Sequence, residues 1–496
     1  MKNLIFDLDG TLWNTEKSYY YAFNEFLKNN PSKANQMDLN VVEKLKAITM
    51  DKMAPLLFPL DSDEERYQNM LECLKYSCEY LIKHETVDQK KIDDIIKLSK
   101  DYNLYIVSNC PFAYIDIFFE KSKLRPCFKD IIALGGFTVN NDFDKACNLT
   151  NLVSKENLKK EDTFFIGDSP LDLDASTLAK VNFIYLNEEM DILSTVLQKL
   201  ENQRILALCD EYKEYLYKDA SVVLMVNKNQ QEYQNLFSFL NLSKNIDTNK
   251  TLFKMMEKDA IAKGMKNIVG PINYSTWFDY RLPIDNFDTT FIPDIKGTKE
   301  EVSFLYESGY NNLYTYASTL ATINKRLELV SKRNKLPSQY YDELIVGPSV
   351  FSYTKEIFEL SSKCFKEGYL YSDVPYEVFN DIYMKWLRKL PFDIDLYMIR
   401  EKETSKLVAY GICYYDTINQ MYVCKTAAID KEHQKTNVVM QLAKIVFERA
   451  RHHQTNKILY HFQNEQKNTL SAFWRGCTIL KKRYALFIKE LTHENM

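Results

Sequence analysis

Two carboxylates one residue apart, Asp7 and Asp9, stand at the end of the apolar run Leu4-Ile5-Phe6 and directly before Gly10. A short apolar run that stops at acids and a glycine reads as a buried parallel strand. It delivers its last side chains to the carboxyl edge of a sheet, where open α/β sheets bind ligands. On a strand, residues i and i+2 point to one side, and glycine lets the backbone turn away after them. Both acids can therefore reach one small ligand. Carboxylates that close repel unless a cation lies between them, and a hard divalent ion such as Mg2+, shared with a substrate phosphate, is the usual remedy. The alternative for this pair alone is a strand followed by an Asp-Gly turn whose acids are simply solvated.

Three later stretches bear on that choice. Leu104-Tyr105-Ile106-Val107-Ser108-Asn109 is a second apolar strand that ends in a hydroxyl. Lys145 opens an amphipathic segment that runs from Ala146 to Leu158. A third apolar strand, Thr163-Phe164-Phe165-Ile166, ends in Gly167-Asp168-Ser169-Pro170-Leu171-Asp172. Together with Asp7-Leu8-Asp9-Gly10-Thr11-Leu12, these elements in this order resemble the haloacid dehalogenase superfamily of aspartyl-phosphate phosphotransferases.

The resemblance implies a role for each residue. Asp7 is the nucleophile that takes a phosphoryl group, so that one hard displacement becomes two easier ones. Asp9 protonates the leaving oxygen, later deprotonates the attacking water, and offers its backbone carbonyl to the metal. Ser108, Asn109 and Lys145 hold phosphoryl oxygens and offset transition-state charge. Asp168 completes an Mg2+ site with Asp7, and Asp172 is a direct ligand or one place removed. An acid at the position of Asp9 favours phosphoester hydrolysis or phosphomutase chemistry over dehalogenation.

The elements that must position these residues come from a chain of 496 residues, too long for one typical domain. Lys and Arg number 64 against 68 Asp and Glu, a balance with no electrostatic reason to expect nucleic acid. The apolar strand begins almost at Met1, leaving no room for a cleavable signal, and no apolar stretch approaches the ~20 residues of a membrane span. Ten cysteines without a CxxC pair read as reduced core thiols of a cytoplasmic protein, among them Cys110, Cys413 and Cys424. Helical patterns at Tyr19 to Leu27, Val41 to Ile48, Glu65 to Ile82 and Ile92 to Leu98 follow the first motif. Such an insertion resembles the helical cap of haloacid dehalogenase phosphatases, which closes over the site and implies a small phosphorylated metabolite as substrate. Trp13, Lys17 and Tyr20 stand at its entrance, where core packing is the plainer role for each. A helix is expected over Ala113 to Glu120, a turn at Gly135-Gly136, a strand at Asn182 to Leu186 and a helix over Glu188 to Glu201.

From about Arg204 the pattern changes to strands at Ser221 to Val226 and Leu236 to Leu240, a helix over Leu252 to Lys263 and a strand at Asn267 to Val269. With Gly270-Pro271-Ile272-Asn273-Tyr274-Ser275-Thr276 and Phe304 to Tyr310, this order resembles the GNAT-type acyl-CoA acyltransferases. There a tyrosine at the position of Tyr306 can protonate the leaving thiolate. Active members cradle the pyrophosphate on a glycine-rich loop before the long helix, but here Leu242 to Lys250 holds no glycine. The order recurs after Pro337 with helices Tyr353 to Phe365 and Tyr376 to Leu390, strands at Leu396 to Ile399, Lys406 to Tyr415 and Gln420 to Ile429, a helix over Val438 to His452, and strands Lys457 to His461 and Arg483 to Phe487. Its loop keeps Gln434 but carries Asn437 and Val439 where glycines are expected. Asn437 suits a left-handed turn, whereas the branch of Val439 crowds a phosphate near the main chain. Phe473-Trp474 stands in place of the tyrosine, and His433 beside the loop reads as a surface residue.

The fold expected is a Rossmann-like α/β domain with a parallel sheet and helical cap, followed by two α+β GNAT-like domains. The boundaries are 1–198, with the cap about 14–98, then 199–336 and 337–496. The function expected is an Mg2+-dependent phosphatase of a small phosphorylated metabolite, fused to a region that transfers an acyl group from acetyl-CoA or another acyl-CoA to an amine. Two alternatives stand beside it: a non-catalytic binding or homodimerisation module in place of the acyltransferase, and a phosphomutase in place of the phosphatase.

Overall fold

The computed structural model describes residues 1–33, 50–134, 145–295, 297–434, 437–466 and 471–491. The expected helix Val41 to Ile48, the turn at Gly135-Gly136, and Lys435 and Thr436 of the altered loop lie outside the described residues. The chain divides into two compact units, Met1–Leu200 and Glu201–Met496. Among the described residues no helix is long and apolar enough to cross a membrane.

The first unit is an α/β fold on a parallel five-stranded sheet, β1 (Asn3–Phe6), β2 (Asn103–Pro111), β3 (Phe128–Leu134), β4 (Thr163–Gly167) and β5 (Asn182–Tyr185). The strand order is β3-β2-β1-β4-β5, and every pairing is parallel. Central position explains the unbroken apolar run of β1, all four of whose residues are buried. Register does the rest. Phe6 lies level with Ile106 on one side and Ile166 on the other, so Asp7, Ser108 and Asp168 emerge at one edge.

Helices α1 (Glu16–Asn29), α2 (Met50–Leu57) and α3 (Asp63–His84) follow β1. They share a separate core of Phe23, Phe26, Leu57, Phe58 and Met70. Ser62 and Glu65 close a capping box at the start of α3, satisfying two backbone donors that would otherwise be bare. The next helix, α4 (Gln89–Asp101), buries Ile95 and Leu98 with Leu4, Ile106 and Phe164 of the sheet. The separate helical core thus ends with α3, short of residue 98, because the apolar stripe of α4 faces the sheet. Helices α5 (Phe112–Ser122), α6 (Lys145–Lys155), α7 (Pro170–Ala179) and α8 (Ile192–Leu206) complete the crossovers and lead into the second unit.

The second unit is built on a twelve-stranded sheet. Its first part contributes β6 (Glu211–Tyr217), β7 (Ala220–Val226), β8 (Asn235–Asn241), α9 (Ile246–Ala262), β9 (Asn267–Gly270), β10 (Leu282–Pro283), α10 (Lys299–Glu307), β11 (Asn311–Thr322) and α11 (Lys325–Lys332). The second contributes β12 (Tyr340–Val346), α12 (Thr354–Phe365), α13 (Tyr376–Val378), a π-helical turn Phe379–Tyr383, α14 (Met384–Arg388), β13 (Ile394–Glu401), β14 (Leu407–Asp416), β15 (Met421–Ile429), α15 (Val438–His452), β16 (Lys457–Asn464) and β17 (Thr478–Glu490). Strands β6, β11 and β12 have no counterpart in the sequence reading. β6 and β12 are edge strands rich in charge and tyrosine, and β11 alternates polar with small residues, so none carries a long apolar run.

The strand order, β12-β13-β14-β15-β16-β11-β17-β9-β8-β7-β6, with β10 paired to β17 off this path, interleaves the two parts. β11 lies between β16 and β17, and β17 at the far end of the chain pairs with β9 as well as β11. A cut at 336/337 would therefore strip β9 and β11 of hydrogen-bonding partners. A segment spanning 201–336 expressed alone should fail to melt cooperatively by circular dichroism, whereas 201–496 should melt as a unit. A cooperative melt of the short segment would show that the C-terminal strands are dispensable to it.

Candidate active site

Asp7 continues the ladder beyond β1, its amide donating to the Ile166 carbonyl at 2.8 Å. Its Oδ1 accepts from the Leu8 amide at 2.8 Å, and its Oδ2 accepts from Lys145 Nζ at 2.8 Å. Lys145, the first residue of α6, donates also to Asp172 Oδ1 at 2.6 Å. The lysine and both carboxylates are buried. Asp172 in turn accepts on Oδ2 from the Ser169 amide at 3.0 Å and the Ser169 hydroxyl at 2.7 Å, closing the capping box of α7. A helix cap and a catalytic-type ion chain are thus one structure.

Two glycines make room for it. Gly10 turns with φ +78°, and a Cβ there would meet Asp168 Oδ2 at 2.4 Å. A Cβ on Gly167 would lie 2.4 Å from the Asp172 carboxyl carbon. Asp168, half-buried at the end of β4, accepts from Thr11 Oγ1 at 3.2 Å. Asp9 turns its carboxylate toward the start of α1, where Thr15 donates from its amide at 3.1 Å and its hydroxyl at 2.7 Å, and Tyr19 donates from its hydroxyl at 2.8 Å. Ser108 is buried, with its hydroxyl accepting from the Cys110 amide at 3.3 Å. The Asn109 side-chain oxygen is buried with no hydrogen-bond partner among the described residues, as is the Asn148 amide nitrogen, one turn beyond Lys145.

Charge is unevenly balanced here. Burial pushes the Asp7 carboxyl up to about 6 against the pull of Lys145, with Asp172 adding to the rise. Burial and then the charges of Asp7 and Asp172 push Asp168 up to about 7. Burial disfavours the Lys145 ammonium, but Asp172 and Asp7 outweigh it and hold the group above the ordinary lysine range. Asp7, Asp168 and Asp172 each offer an oxygen within 4.8 Å of the others. An all-oxygen set with more carboxylates than cations suits a hard divalent ion such as Mg2+. Both Asp172 oxygens are engaged by Lys145 and Ser169, so its evident work is to orient that lysine.

Asp7, Lys145, Asp168 and Asp172 therefore meet at one point, with Ser108 beside them and the Asp9 carboxylate held by the start of α1. Thr11, Thr15, Tyr19 and Ser169 escaped the sequence reading as site residues. Ser169-Pro170-x-Asp172 carries a capping signature that could have placed Ser169, and Thr15 and Tyr19 share a helix face at i, i+4. Trp13 is buried, tilted against Phe118, with its Nε1 donating to the Thr86 carbonyl. Lys17 is exposed and Tyr20 packs on the helical core.

In the second unit the loop residues take other partners. Asn245 caps α9, its side chain accepting from the amides of Asp247 at 2.9 Å and Thr248 at 3.4 Å, so these donors are already used. Asn437 has φ −69°, right-handed rather than the left-handed turn expected of it. Gln434 donates to the Ile429 carbonyl at 3.2 Å, and Val439 lies half-buried in the first turn of α15. His433 is buried, not a surface residue, because its Nδ1 pairs with the Tyr340 hydroxyl at 2.7 Å. Tyr306 is exposed on α10 and donates to Asn312 Oδ1 at 2.9 Å.

The family model of haloacid dehalogenase-like hydrolases matches residues 4–186. The first unit thus carries a haloacid dehalogenase-like hydrolase domain. Among solved structures the chain is similar to a haloacid dehalogenase-like hydrolase from Streptococcus pneumoniae, at 18% identity over 39% of this chain and 90% of that one, with a TM-score of 0.32. It is similar to a beta-phosphoglucomutase from Clostridium difficile, at 17% identity over 42% and 99%, TM-score 0.34. It is also similar to a tandem GNAT protein from the clavulanic acid biosynthesis pathway, at 10% identity over 59% and 88%, TM-score 0.33. At these scores the likenesses assign no activity. A search of curated proteins returns no match.

Lys145→Met would leave two buried carboxylates facing each other without their cation. Urea unfolding should show a loss of about 3–5 kcal/mol, the cost of breaking a buried pair from one side, partly restored by millimolar Mg2+. A loss under about 1 kcal/mol would mean that the lysine does not hold Asp7 and Asp172 together.

Proposed function

We propose that residues 1–198 hydrolyse the phosphate monoester of a small metabolite through an aspartyl-phosphate on Asp7. The observation that carries this is the buried chain Asp7–Lys145–Asp172 beside Asp168, at the carboxyl edge of a parallel sheet. In the first step an Asp7 carboxylate oxygen attacks phosphorus, the bond to the substrate oxygen breaks, and Asp9 gives that oxygen a proton. In the second, water attacks the same phosphorus, Asp9 takes its proton, and the carboxylate of Asp7 is released with inorganic phosphate. Thr15 and Tyr19 fix Asp9 in one orientation for both transfers. Lys145 and Ser108 donate to the phosphoryl oxygens as charge gathers there. Asp7, Asp168 and the Asp9 carbonyl would hold Mg2+, which when bound offsets charge on the phosphoryl group. The helical segment between β1 and α4 would exclude bulky phosphoproteins in favour of small substrates.

For the second unit, the occupied cap of α9 and the right-handed Asn437 support a GNAT-like fold that works as a binding module rather than an acyltransferase. Acetyl-CoA titrated into the full chain should give no saturable heat. Micromolar binding would restore the acyltransferase reading, with an amine as acceptor.

Two measurements test the phosphatase. Asp7→Asn fills the same space with a far poorer nucleophile, so phosphate release from a panel of small monophosphates should fall by at least about a thousandfold with an unchanged circular dichroism spectrum. Activity surviving within about tenfold would argue against covalent catalysis by Asp7. Chelation should abolish turnover and Mg2+ restore it, with BeF3− inhibiting only when Mg2+ is present. Demand for a bisphosphate activator with little free phosphate released would instead mark a phosphomutase.

A further inference from the structure

The strands β15 and β16 are paired only over Tyr422 to Cys424 against Ile458 to Tyr460. Beyond that point β15 runs on through Lys425 and Thr426, while β16 runs on through His461 and Phe462 with no pairing between the two arms. Arg281, directly before β10, sends its guanidinium over Phe462, 3.8 Å from the ring centre, and over Tyr280 at 3.9 Å. Lys425 Nζ lies 5.3 Å from the same Phe462 ring and 5.3 Å from Trp386. Two cations thus share one aromatic ring.

Neither has a carboxylate within ion-pair distance among the described residues. Arg281 is 4% exposed, yet its Nε and Nη1 are buried with no hydrogen-bond partner among the described residues. An arginine stays charged at any ordinary pH, and a buried guanidinium with bare N–H groups is costly unless an anion meets it. Burial, then the charge of Arg281, pushes the Lys425 ammonium down to about 7 against the pull of Asp279. Asp279, the carboxylate that faces both cations, forms no ion pair within 4.0 Å with either among the described residues. His461 gives no charge: its Nδ1 meets Ser318 and its Nε2 the Pro293 carbonyl, each at 2.8 Å. Lys482 is already paired with Asp294 at 2.5 Å. The Tyr383 and Thr426 hydroxyls, 3.4 Å apart, stand at the edge of the same place.

The backbone is bent to achieve this. Arg281 has φ +70° and Phe462 φ +52°, left-handed conformations that residues with side chains seldom adopt. Together they bring the guanidinium and the ring face to face. Stability alone does not favour such an arrangement, since an apolar side chain in place of Arg281 would remove an unpaired buried charge.

We infer that the second unit holds a binding site for an oxyanion, the carboxylate or phosphate of a small molecule, between the parted strands, with Arg281 and Lys425 as its ligands. The planar fork of Arg281 takes two anion oxygens, Lys425 adds a point charge, and the rings of Tyr280, Trp386 and Phe462 cover an apolar body attached to the anion.

Calorimetric titration of the full chain with inorganic phosphate and, separately, with succinate tests this. At least one of the two should give saturable heat, which Arg281→Met and Lys425→Met should each weaken by at least about tenfold, the effect of removing one charge-assisted partner. A phosphate response alone assigns a phosphorylated ligand, and a succinate response alone a carboxylic acid. Without either probe, Arg281→Met should leave Tm unchanged or raised, while the rise in Tm that the probe causes in the wild type should vanish. Lys425 is half-buried, so its variant keeps the test open where Arg281→Met fails to fold. No heat from either probe overturns the inference. So does binding that survives in both variants, because that binding belongs to the phosphate site of the first unit.

Discussion

Lys145 is the group on which the carboxylate cluster of the first unit depends. Buried between Asp7 and Asp172, its ammonium holds together carboxylates that would otherwise repel each other out of position. Its reach is possible only because Gly167 has no Cβ and because Ser169 ties the far oxygen of Asp172 into the cap of α7. Each of these conditions is a local rule of helix or strand ends. Their coincidence at one edge follows from the register that sets Phe6 level with Ile106 and Ile166.

The imbalance that remains has a use. Asp7 and Asp168 both sit above the ordinary carboxylate range, first because of burial, then because of the charge of Asp172 on Asp7 and of Asp7 and Asp172 on Asp168. On the function proposed above, a site with surplus negative charge and oxygen donors would take a divalent ion and a phosphoryl group together, since each offsets what the other brings. The link from Asp9 to Thr15 and Tyr19 adds a mechanical connection, because the residue proposed to move protons is held by the first turn of the helix that leads away from the sheet.

The second unit shows the opposite imbalance. Arg281 and Lys425 leave positive charge in a place walled by rings. The start of α9, where a pyrophosphate would sit, is closed by its own side chain, Asn245. Recognition in this unit has therefore a basis separate from helix N-termini, and it lies where two neighbouring strands separate. The sheet that carries it is held together by the last strand of the chain, so residues far apart in sequence share one frame.

Much of the first unit was legible in sequence. An apolar run ending in Asp7-x-Asp9-Gly10, a hydroxyl after a second strand and Gly167-Asp168 after a third are local patterns, and parallel strands buried on both faces leave no ambiguity of period. The same locality explains what was missed there. Tyr19 reads as one more aromatic on an amphipathic helix until the turn at Gly10 folds α1 back toward Asp9. In the second unit the helices α9, α12 and α15 and the apolar strands were readable, but α10, α11, β6, β10, β11 and β12 were not, since edge strands and polar strands acquire their identity from the neighbour they pair with. His433 reads as a surface residue and is buried, with Tyr340 of β12 packed edge-on against its ring. What the sequence determined by itself was the set of local conformations and the chemistry of the first motif. Tertiary structure alone decided that Lys145 would pair with Asp172, that β17 would complete a sheet begun far earlier in the chain with β6, and that Arg281 and Lys425 would meet the same Phe462 ring. Such contacts join residues whose separation along the chain carries no periodic signal.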